Sequence, residues 1–479
     1  MTIIEYIRTN QIALDHRWFG FFLVLQVVGV ALVVFDELLI LLLAIGAAAA
    51  AIFFAYVIVY PWLIIPLIIG STAMDITGQL EKSLFLDLPL TGFHVAFLLM
   101  LVAMPVNICI RRTTHFPDFE LKGPLFFFLG IMAISLTYSP NQPEATINFV
   151  RVALLVLFMY LTQILIYDRQ AIKVVVYSMT IGVLAGSVMG AYQVATGEFH
   201  LPVSMVGALG ANVPRATGTF HNPNIFASFL VGGVIPLLGL VLNHRLKLWQ
   251  QLVLGLTCVV GFLGTLITFS RSNWVSLAAG AFVVLWLSKK LRYLFYLIVV
   301  VFVVIVSLSS FVPFAAYIFD RFISIFTIVE EFGTMGRTSS TTRIYLVLTA
   351  WEMWLDNPVI GIGWRGFPTL INEYAPPGYP WWSLVDEPHT VVAAVAAELG
   401  LVGLIAFVWF VVRTLRLSLI GLREMEDSFL RALMIGMISV FAAFQVNQMF
   451  NGDYSNNMFW FYIGLMFSIL RIERELRVT

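Results

Sequence analysis

The chain has 479 residues, of which 60% are hydrophobic and only 11% are charged. Soluble domains carry about 25% charged residues, so this composition excludes a soluble globular enzyme and a disordered chain and leaves a polytopic membrane protein. The 27 basic and 27 acidic residues cancel, which argues against a nucleic-acid partner. Cys109 and Cys258 both lie in apolar runs, which disfavours a disulfide framework or a thiolate metal site.

Apolar runs follow one another along the whole chain, and a crossing of the bilayer needs about 20 apolar residues. The first run, from Trp18, is expected to be a signal anchor and not a cleaved signal peptide. Residues 38–70 are long enough for one or two crossings, and both alternatives stay open. The candidate spans are 18–35, 38–70, 91–110, 123–138, 147–167, 172–196, 222–243, 249–269, 272–287, 293–313, 391–412, 428–447 and 455–470. The sequence therefore predicts an all-α polytopic membrane protein of about 12–14 transmembrane helices.

Basic residues concentrate in alternate connections between the candidate spans. These connections are 111–122, 168–173, 244–248, 288–292, 413–427 and the tail 471–479. All of them fall on one side of the membrane if the spans alternate, and the positive-inside rule makes that side the cytoplasm. We therefore expect the other face of the protein to look away from the cytoplasm.

One connection on the predicted outer face, residues 314–390, is much longer than the others. It holds four arginines, eight carboxylates and no lysine, and loops of this length are often functional. Thr338, Ser339 and Ser340 offer N-caps for a helix over 343–355, which Pro358 would terminate. The sequence thus predicts N-terminal transmembrane helices in residues 1–200. A second region, 201–479, would contain this large extracytoplasmic loop with its short helices.

Five arginines on or near the predicted outer face are candidates for an anion site. They are Arg151, Arg215, Arg271, Arg343 and Arg365. An arginine at membrane depth costs about 2.5–3.5 kcal/mol at the bilayer centre and less near the interface. Snorkelling or an ion pair with a carboxylate could offset that cost. The functional alternative is a clamp for a lipid-linked diphosphate, because a guanidinium binds phosphate oxygens in a bidentate manner and stays charged.

His389 ends the long loop where the chain re-enters the bilayer. Imidazole titrates near neutrality and can act as a general base on a hydroxyl. Asp386 and Glu387 lie close in sequence and could orient His389. A lone histidine is more often structural, but this position between the large loop and the membrane favours catalysis.

Other chemistries have little support in the sequence. It contains no HExxH motif, no cysteine cluster, no P-loop and no G-x-S-x-G motif. The pair Asp386-Glu387 is the nearest approach to a magnesium site. We therefore predict neither a metal nor another cofactor.

Four segments resemble the O-antigen ligase and O-antigen polymerase superfamily of bacterial membrane glycosyltransferases. They are RATGTFHNPNIFASFL (215–230), SRSNW (270–274), TTRIYLVLTAWEMWLDNPVIGIGWRGF (341–367) and EPHTVVAAVAAELGLVGL (387–404). The resemblance covers roughly residues 200–470, and it lies in the order of the segments as much as in any one of them.

The resemblance implies specific roles. Two outward arginines and one histidine are the key residues of the ligases, and they fall on Arg271, Arg343 and His389, with Arg215 matching a further arginine. The donor would be a glycan on undecaprenyl diphosphate, attacked by an acceptor hydroxyl with inversion at the anomeric carbon and without a metal. The acceptor would be a glycan, a glycolipid or a protein. The family commonly has asparagine after the histidine, where this chain has Thr390.

The residues lead to the same chemistry by a separate argument. A lipid diphosphate needs positive charge as it leaves, which Arg271 and Arg343 would supply with Arg215 in support, and His389 would take the proton. Arg365 and Arg151 are further supporting candidates. Trp381 and Trp382, in the aromatic patch of the loop, could stack on sugar rings.

Three classes of function remain as alternatives. A ligase transfers the finished glycan to another molecule, whereas a repeat-unit polymerase joins one unit to the next, and the shared donor chemistry does not separate them. A small-solute transporter of the bicarbonate type is disfavoured because we find no internal repeat and the polar residues cluster at the outer face. A scaffold subunit would leave the outward arginines unexplained.

Overall fold

The structure is a computed structural model that describes most of the chain beyond residue 51. The described residues are 52–54, 56–73, 92–111, 116–197, 205–208, 211–220, 222–293, 313–325, 339–376, 388–452 and 456–478. The predicted span 18–35, the first part of 38–70 and nearly all of 293–313 lie outside them.

Helices make up nearly all of the described structure. They are α1 (Ile64–Ala73), α2 (Gly92–Arg111), α3 (Lys122–Ser135), α4 (Gln142–Leu165), α5 (Arg169–Thr196), α6 (Pro223–Asn243), α7 (Leu248–Leu266), α8 (Arg271–Leu287), α9 (Pro313–Ile323), α10 (Ser339–Asp356), α11 (Phe367–Tyr374), α12 (Val391–Glu424), α13 (Ser428–Asn451) and α14 (Asn457–Val478). Strands β1 (Met205–Ala208) and β2 (Ala211–Pro214) pair in an antiparallel hairpin. Seven of the described helices are long and apolar enough to cross a membrane, which confirms an all-α polytopic membrane protein.

The predicted boundaries hold closely for most spans. The loop helix α10 begins at Ser339 and ends at Asp356, just before Asn357-Pro358, as the capping and proline signals indicate. Helix α12 differs, because it continues past the predicted end at residue 412 to Glu424. The added residues are mostly arginine and leucine, which have high helix propensity.

Helix α13 packs along both α6 and α8, so these three helices form the centre of the protein. Glycines permit the close crossing of α6 and α13. A Cβ on Gly436 would lie 2.6 Å from Pro236 Cα, and one on Gly239 would lie 2.8 Å from Gly436 Cα. Small residues of this kind let transmembrane helices approach closely. This close packing fixes the relative positions of the loops at the ends of α6 and α13.

Side-chain contacts group the connections into two sets, one at each end of the helices. At the basic end, Arg474 pairs with Glu120 at 2.5 Å and Arg169 pairs with Asp427 at 2.8 Å. At the other end, the Ser139 hydroxyl donates to Trp364 O at 2.8 Å. The basic connections therefore come together in space, as simple alternation of the spans requires.

The glycine-rich turn after α10 packs against α12 at a kink in that helix. Gly400 departs from helical geometry, with φ 63° and ψ −163°. The backbone N–H groups freed there take new partners, since Leu401 N donates to Pro358 O at 2.8 Å. In the other direction, Ile362 N and Gly363 N donate to Ala397 O and Glu398 O. The turn that follows the loop helix is thus tied to the first part of α12.

Gly400→Ala is expected to destabilise the protein by about 1–3 kcal/mol. Its backbone lies in the left-handed region, which is strained for a residue with a side chain, and the new Cβ would lie 2.3 Å from Val359 O. Gly255→Ala in α7 is the matched control, because no atom outside its chain neighbours and its own helix backbone lies within 4 Å of its Cβ position. The midpoint of unfolding in detergent should fall for Gly400→Ala and hold or rise for the control. Equal midpoints would contradict the strain argument.

Candidate active site

Four residues named from the sequence come together at the end of the helices opposite the basic connections. Arg215 directly follows β2, and Arg271 is the first residue of α8. Arg343 lies in the first turns of α10, and His389 precedes Thr390, the N-cap of α12. Four separate elements therefore converge on one polar region.

Electrostatic coupling shows how close these groups lie. Burial and, after it, the charges of Arg321, Arg343 and Arg271 together lower the pKa of Arg215 to about 10. Burial, followed by the charge of Arg271, also lowers the pKa of Arg343 to about 10. Among the described residues, neither Arg215 nor Arg343 forms an ion pair with a carboxylate. The region thus concentrates positive charge, and Arg321 of α9 is a member that the sequence analysis had not selected.

Backbone carbonyls of neighbouring turns hold the arginines in place. Arg215 Nε donates to Thr268 O at 2.7 Å, and Arg271 Nη1 donates to Ser324 O at 2.9 Å. Arg321 Nε lies 3.5 Å from Phe269 O, and Phe269 is in the left-handed region with φ 53°. These carbonyl groups orient the guanidinium groups of the three arginines.

A chain of amides and hydroxyls joins the central helices to the arginines. At one end, Asn224 Oδ1 accepts from Arg215 Nη2 at 3.1 Å and from the Ser270 hydroxyl at 2.8 Å. Asn273 Nδ2 donates to Ser270 Oγ at 3.0 Å, and Asn273 Oδ1 accepts from Asn447 Nδ2 at 2.7 Å. The chain runs from the loop after β2 into the interior of the helix bundle.

Asn451 completes this chain at its other end. Its Nδ2 donates to Asn447 Oδ1 at 3.1 Å and to Ser272 Oγ at 2.9 Å. Its Oδ1 accepts from Arg343 Nη2 at 3.3 Å. Asn451 therefore connects the arginine of the loop helix to the fixed core of α8 and α13. The sequence analysis did not select Asn447 or Asn451, although two asparagines four residues apart at the end of an apolar span are a usable signal.

His389 is held in an unusual conformation beside the end of α13. Its φ is 53°, a value that is uncommon for a residue other than glycine. Gly452 faces it so closely that a Cβ there would lie 3.1 Å from His389 Cα, and the Thr390 hydroxyl donates to Met449 O at 3.0 Å. Burial, followed by the charge of Arg343, lowers the pKa of His389 to about 4, so the imidazole is neutral at pH 7.

Two other predicted arginines lie apart from this group. Arg365 forms an ion pair with Glu144 at 2.8 Å, which joins the glycine turn to the start of α4. Arg151 lines a separate cleft of about 370 Å³ together with His94, and no described carboxylate pairs with it. Their supporting roles stay predictions, and Asp386, Glu387, Trp381 and Trp382 lie outside the described residues.

Metal-ligating residues do not gather in the described part of the chain. No group of three or more histidine, cysteine, aspartate or glutamate side chains there could hold a metal ion. The guanidinium, amide and hydroxyl groups described above can bind anions and sugar hydroxyls.

The fold and the site together define a multi-pass membrane protein with a cluster of arginines at one membrane face. Residues 256–408 match the family model described as O-antigen ligase, which confirms the resemblance to the O-antigen ligase superfamily. The match indicates a glycosyltransferase of the ligase or polymerase type. It includes Arg271, Arg321, Arg343 and His389 and leaves out Arg215 and Asn451.

Two further comparisons add little. No curated protein sequence matches the chain. A solved structure described as "Structural coordination of polymerization and crosslinking by a peptidoglycan synthase complex" is similar over 73% of this chain and 97% of that chain, with a TM-score of 0.43 and 13% identity.

Proposed function

We propose that the protein transfers a glycan from undecaprenyl diphosphate to an acceptor hydroxyl at the outer face of the bacterial cytoplasmic membrane. The single observation that carries this proposal is the cluster of Arg215, Arg271, Arg321 and Arg343, which are coupled to one another electrostatically. Like charges repel, so a cluster of this kind favours the binding of an anion. A diphosphate provides that anion, and its lipid tail keeps it at the membrane surface.

In the proposed reaction the arginines bind the diphosphate and His389 acts as the general base. The neutral imidazole takes the proton from the acceptor hydroxyl, whose oxygen forms the new bond to the anomeric carbon from the opposite side. The bond from that carbon to the diphosphate oxygen breaks, and undecaprenyl diphosphate leaves with the electron pair. The anomeric configuration inverts. The arginines stabilise the negative charge that builds on the leaving group, so the step needs no metal ion.

The orientation follows from charge. With the basic connections in the cytoplasm, the arginine cluster would face the periplasm or the cell exterior. Within this proposal residues 1–200 are N-terminal helices, and residues 201–479, with the loop 314–390, carry the site. A ligase is favoured because Arg271, Arg343 and His389 match the ligase pattern, and a repeat-unit polymerase is the alternative.

Deletion of the gene tests the proposed function. Lipid-linked glycans would be extracted from membranes of the mutant and sized. Long chains on undecaprenyl diphosphate, with none on the final acceptor, would establish a ligase. Single repeat units would establish a polymerase. An unchanged glycolipid pool would rule out the transferase and would favour a small-solute transporter.

Asn451→Ala is expected to lower transfer activity by about 10-fold or more. Its amide oxygen accepts a hydrogen bond from Arg343 Nη2, and a hydrogen bond to a charged group contributes about 1.5–3 kcal/mol. Asn148→Ala is the matched control, because Asn148 Nδ2 donates to a carbonyl of its own helix, Glu144 O. kcat/KM should fall for Asn451→Ala while both variants insert normally. Equal activity of the two variants would contradict the role of Asn451.

A further inference from the structure

A second cleft lies at the basic end of the helices, far from the arginine cluster. It has a volume of about 290 Å³ and opens between α5, α6, α7 and the start of α13. Helix α5 starts at this cleft with Arg169, and 28 residues later it ends near the loop of Arg215, where Gln193 accepts from Gly218 N at 2.8 Å. At about 1.5 Å per residue, the two sites are about 40 Å apart.

The charges in this cleft favour an anion. Arg169 and Lys173 line one wall, one helical turn apart. Arg169 is already paired with Asp427 at 2.8 Å and lies over the Phe429 ring at 5.4 Å. No described acidic group pairs with Lys173. No aspartate or glutamate is among the residues that line the cleft. The lining therefore presents the positive charge of Lys173 with no lining carboxylate to balance it.

His244 does not change this balance at neutral pH. Burial lowers the pKa of His244, so its imidazole is uncharged at pH 7. His244 lines the cleft, and its Nδ1 lies 3.1 Å from the Ser428 hydroxyl, so a neutral polar pair lies beside the two basic residues. These groups suit hydrogen bonds to a phosphodiester or a glycerol hydroxyl.

The outward wall of the cleft is apolar and aromatic. Tyr177 is 52% exposed, Trp249 is 57% exposed and Val253 is 42% exposed, and all three line the cleft. Tryptophan and tyrosine are enriched where membrane helices meet the headgroup region. Tyr177 follows Lys173 by four residues, so an apolar surface continues from the charge toward the bilayer along one face of α5.

We propose that this cleft binds an anionic phospholipid from the leaflet on the basic side of the membrane. Lys173 and Arg169 hold the phosphate, and the acyl chains lie against Tyr177, Trp249 and Val253. Basic pockets between transmembrane helices on this side suit such headgroups. A soluble phosphate ester would use the positive charge but would leave the exposed aromatic wall uncovered.

Lipid binding to the full-length protein in detergent tests this proposal. Native mass spectrometry and the unfolding midpoint would be recorded with phosphatidylglycerol, with phosphatidylcholine and with inorganic phosphate. Phosphatidylglycerol should bind and raise the midpoint, and the other two should do so weakly or not at all. Lys173→Gln should weaken phosphatidylglycerol binding about fivefold, the contribution expected of one basic residue near an anionic lipid.

Lys122→Gln is the matched control. Lys122 is an exposed lysine at the start of α3, on the same membrane side and outside the cleft. Equal losses in the two variants would overturn the proposal in favour of general surface attraction. Equal binding of both lipids to the wild type, or stabilisation by inorganic phosphate alone, would also overturn it. Because the readout is lipid binding, the result is separable from the glycosyltransferase assay.

Discussion

His389→Ala is expected to lower glycan transfer by about 10²–10⁴-fold, the usual contribution of a positioned general base. The acceptor hydroxyl must lose its proton as it attacks the anomeric carbon, and alanine has no group to take that proton. Membrane insertion should be unchanged. The measurement is single-turnover transfer with a purified lipid-linked glycan. Transfer at the wild-type rate would remove His389 from the mechanism.

His115→Ala provides the matched histidine control, because His115 belongs to the predicted cytoplasmic connection 111–122. We expect this variant to transfer glycan at the wild-type rate. A loss as large as that of His389→Ala would point to a general effect of histidine removal on the preparation.

The pH dependence supplies a second readout for His389. Only the neutral imidazole accepts a proton, so activity should be lost as pH falls through its pKa. That pKa is about 4 in the free protein, below the ordinary value of about 6.5. kcat/KM, which reports the free enzyme, should therefore stay flat from pH 7 to about 5 and fall below that. The acid limb of kcat should lie at higher pH, because the bound diphosphate favours the protonated imidazole. If the acid limb of kcat/KM had its midpoint near pH 6.5, the buried, positively charged surroundings of His389 would be contradicted.

Much of the fold could be predicted from the sequence because membrane-spanning helices have strong local signals. Hydrophobic runs, prolines and caps mark both ends of α6 and α10 within a few residues. The kink at Gly400 could not be predicted in this way. It depends on carbonyls and amides of the turn at 358–363 that pair with it across the fold, and no local pattern in α12 reveals that partner.

Only part of the candidate site could be predicted from the sequence, for a similar reason. Arg215, Arg271, Arg343 and His389 could be selected because arginine and histidine at an outer membrane face are chemically conspicuous, and the structure brings their charges within coupling distance. Their catalytic roles stay predictions. The spacing of Asn447 and Asn451 could have marked them as polar residues of interest, but the role of Asn451 depends on its contact with Arg343, which the sequence does not show.

Arg343→Gln is expected to lower kcat/KM by about 10²–10³-fold, the effect of removing one preorganised group that stabilises developing negative charge. Arg343→Lys keeps the charge but not the planar fork that matches phosphate oxygens, so its activity should fall between the wild type and Arg343→Gln. Arg416→Gln is the control, since Arg416 is exposed on the far part of α12. The measurement is the rate of transfer as a function of donor concentration.

The same variant should also change the pH profile, which separates an electrostatic role from a structural one. The charge of Arg343 lowers the pKa of His389, so its removal should raise that pKa. The loss of kcat/KM on acidification should then begin at higher pH in Arg343→Gln than in the wild type or in Arg343→Lys. If Arg343→Gln loses activity while its acid limb stays in place, the two side chains are not coupled as the structure indicates. If the limb moves but the rate does not fall, Arg343 tunes the base without binding the leaving diphosphate.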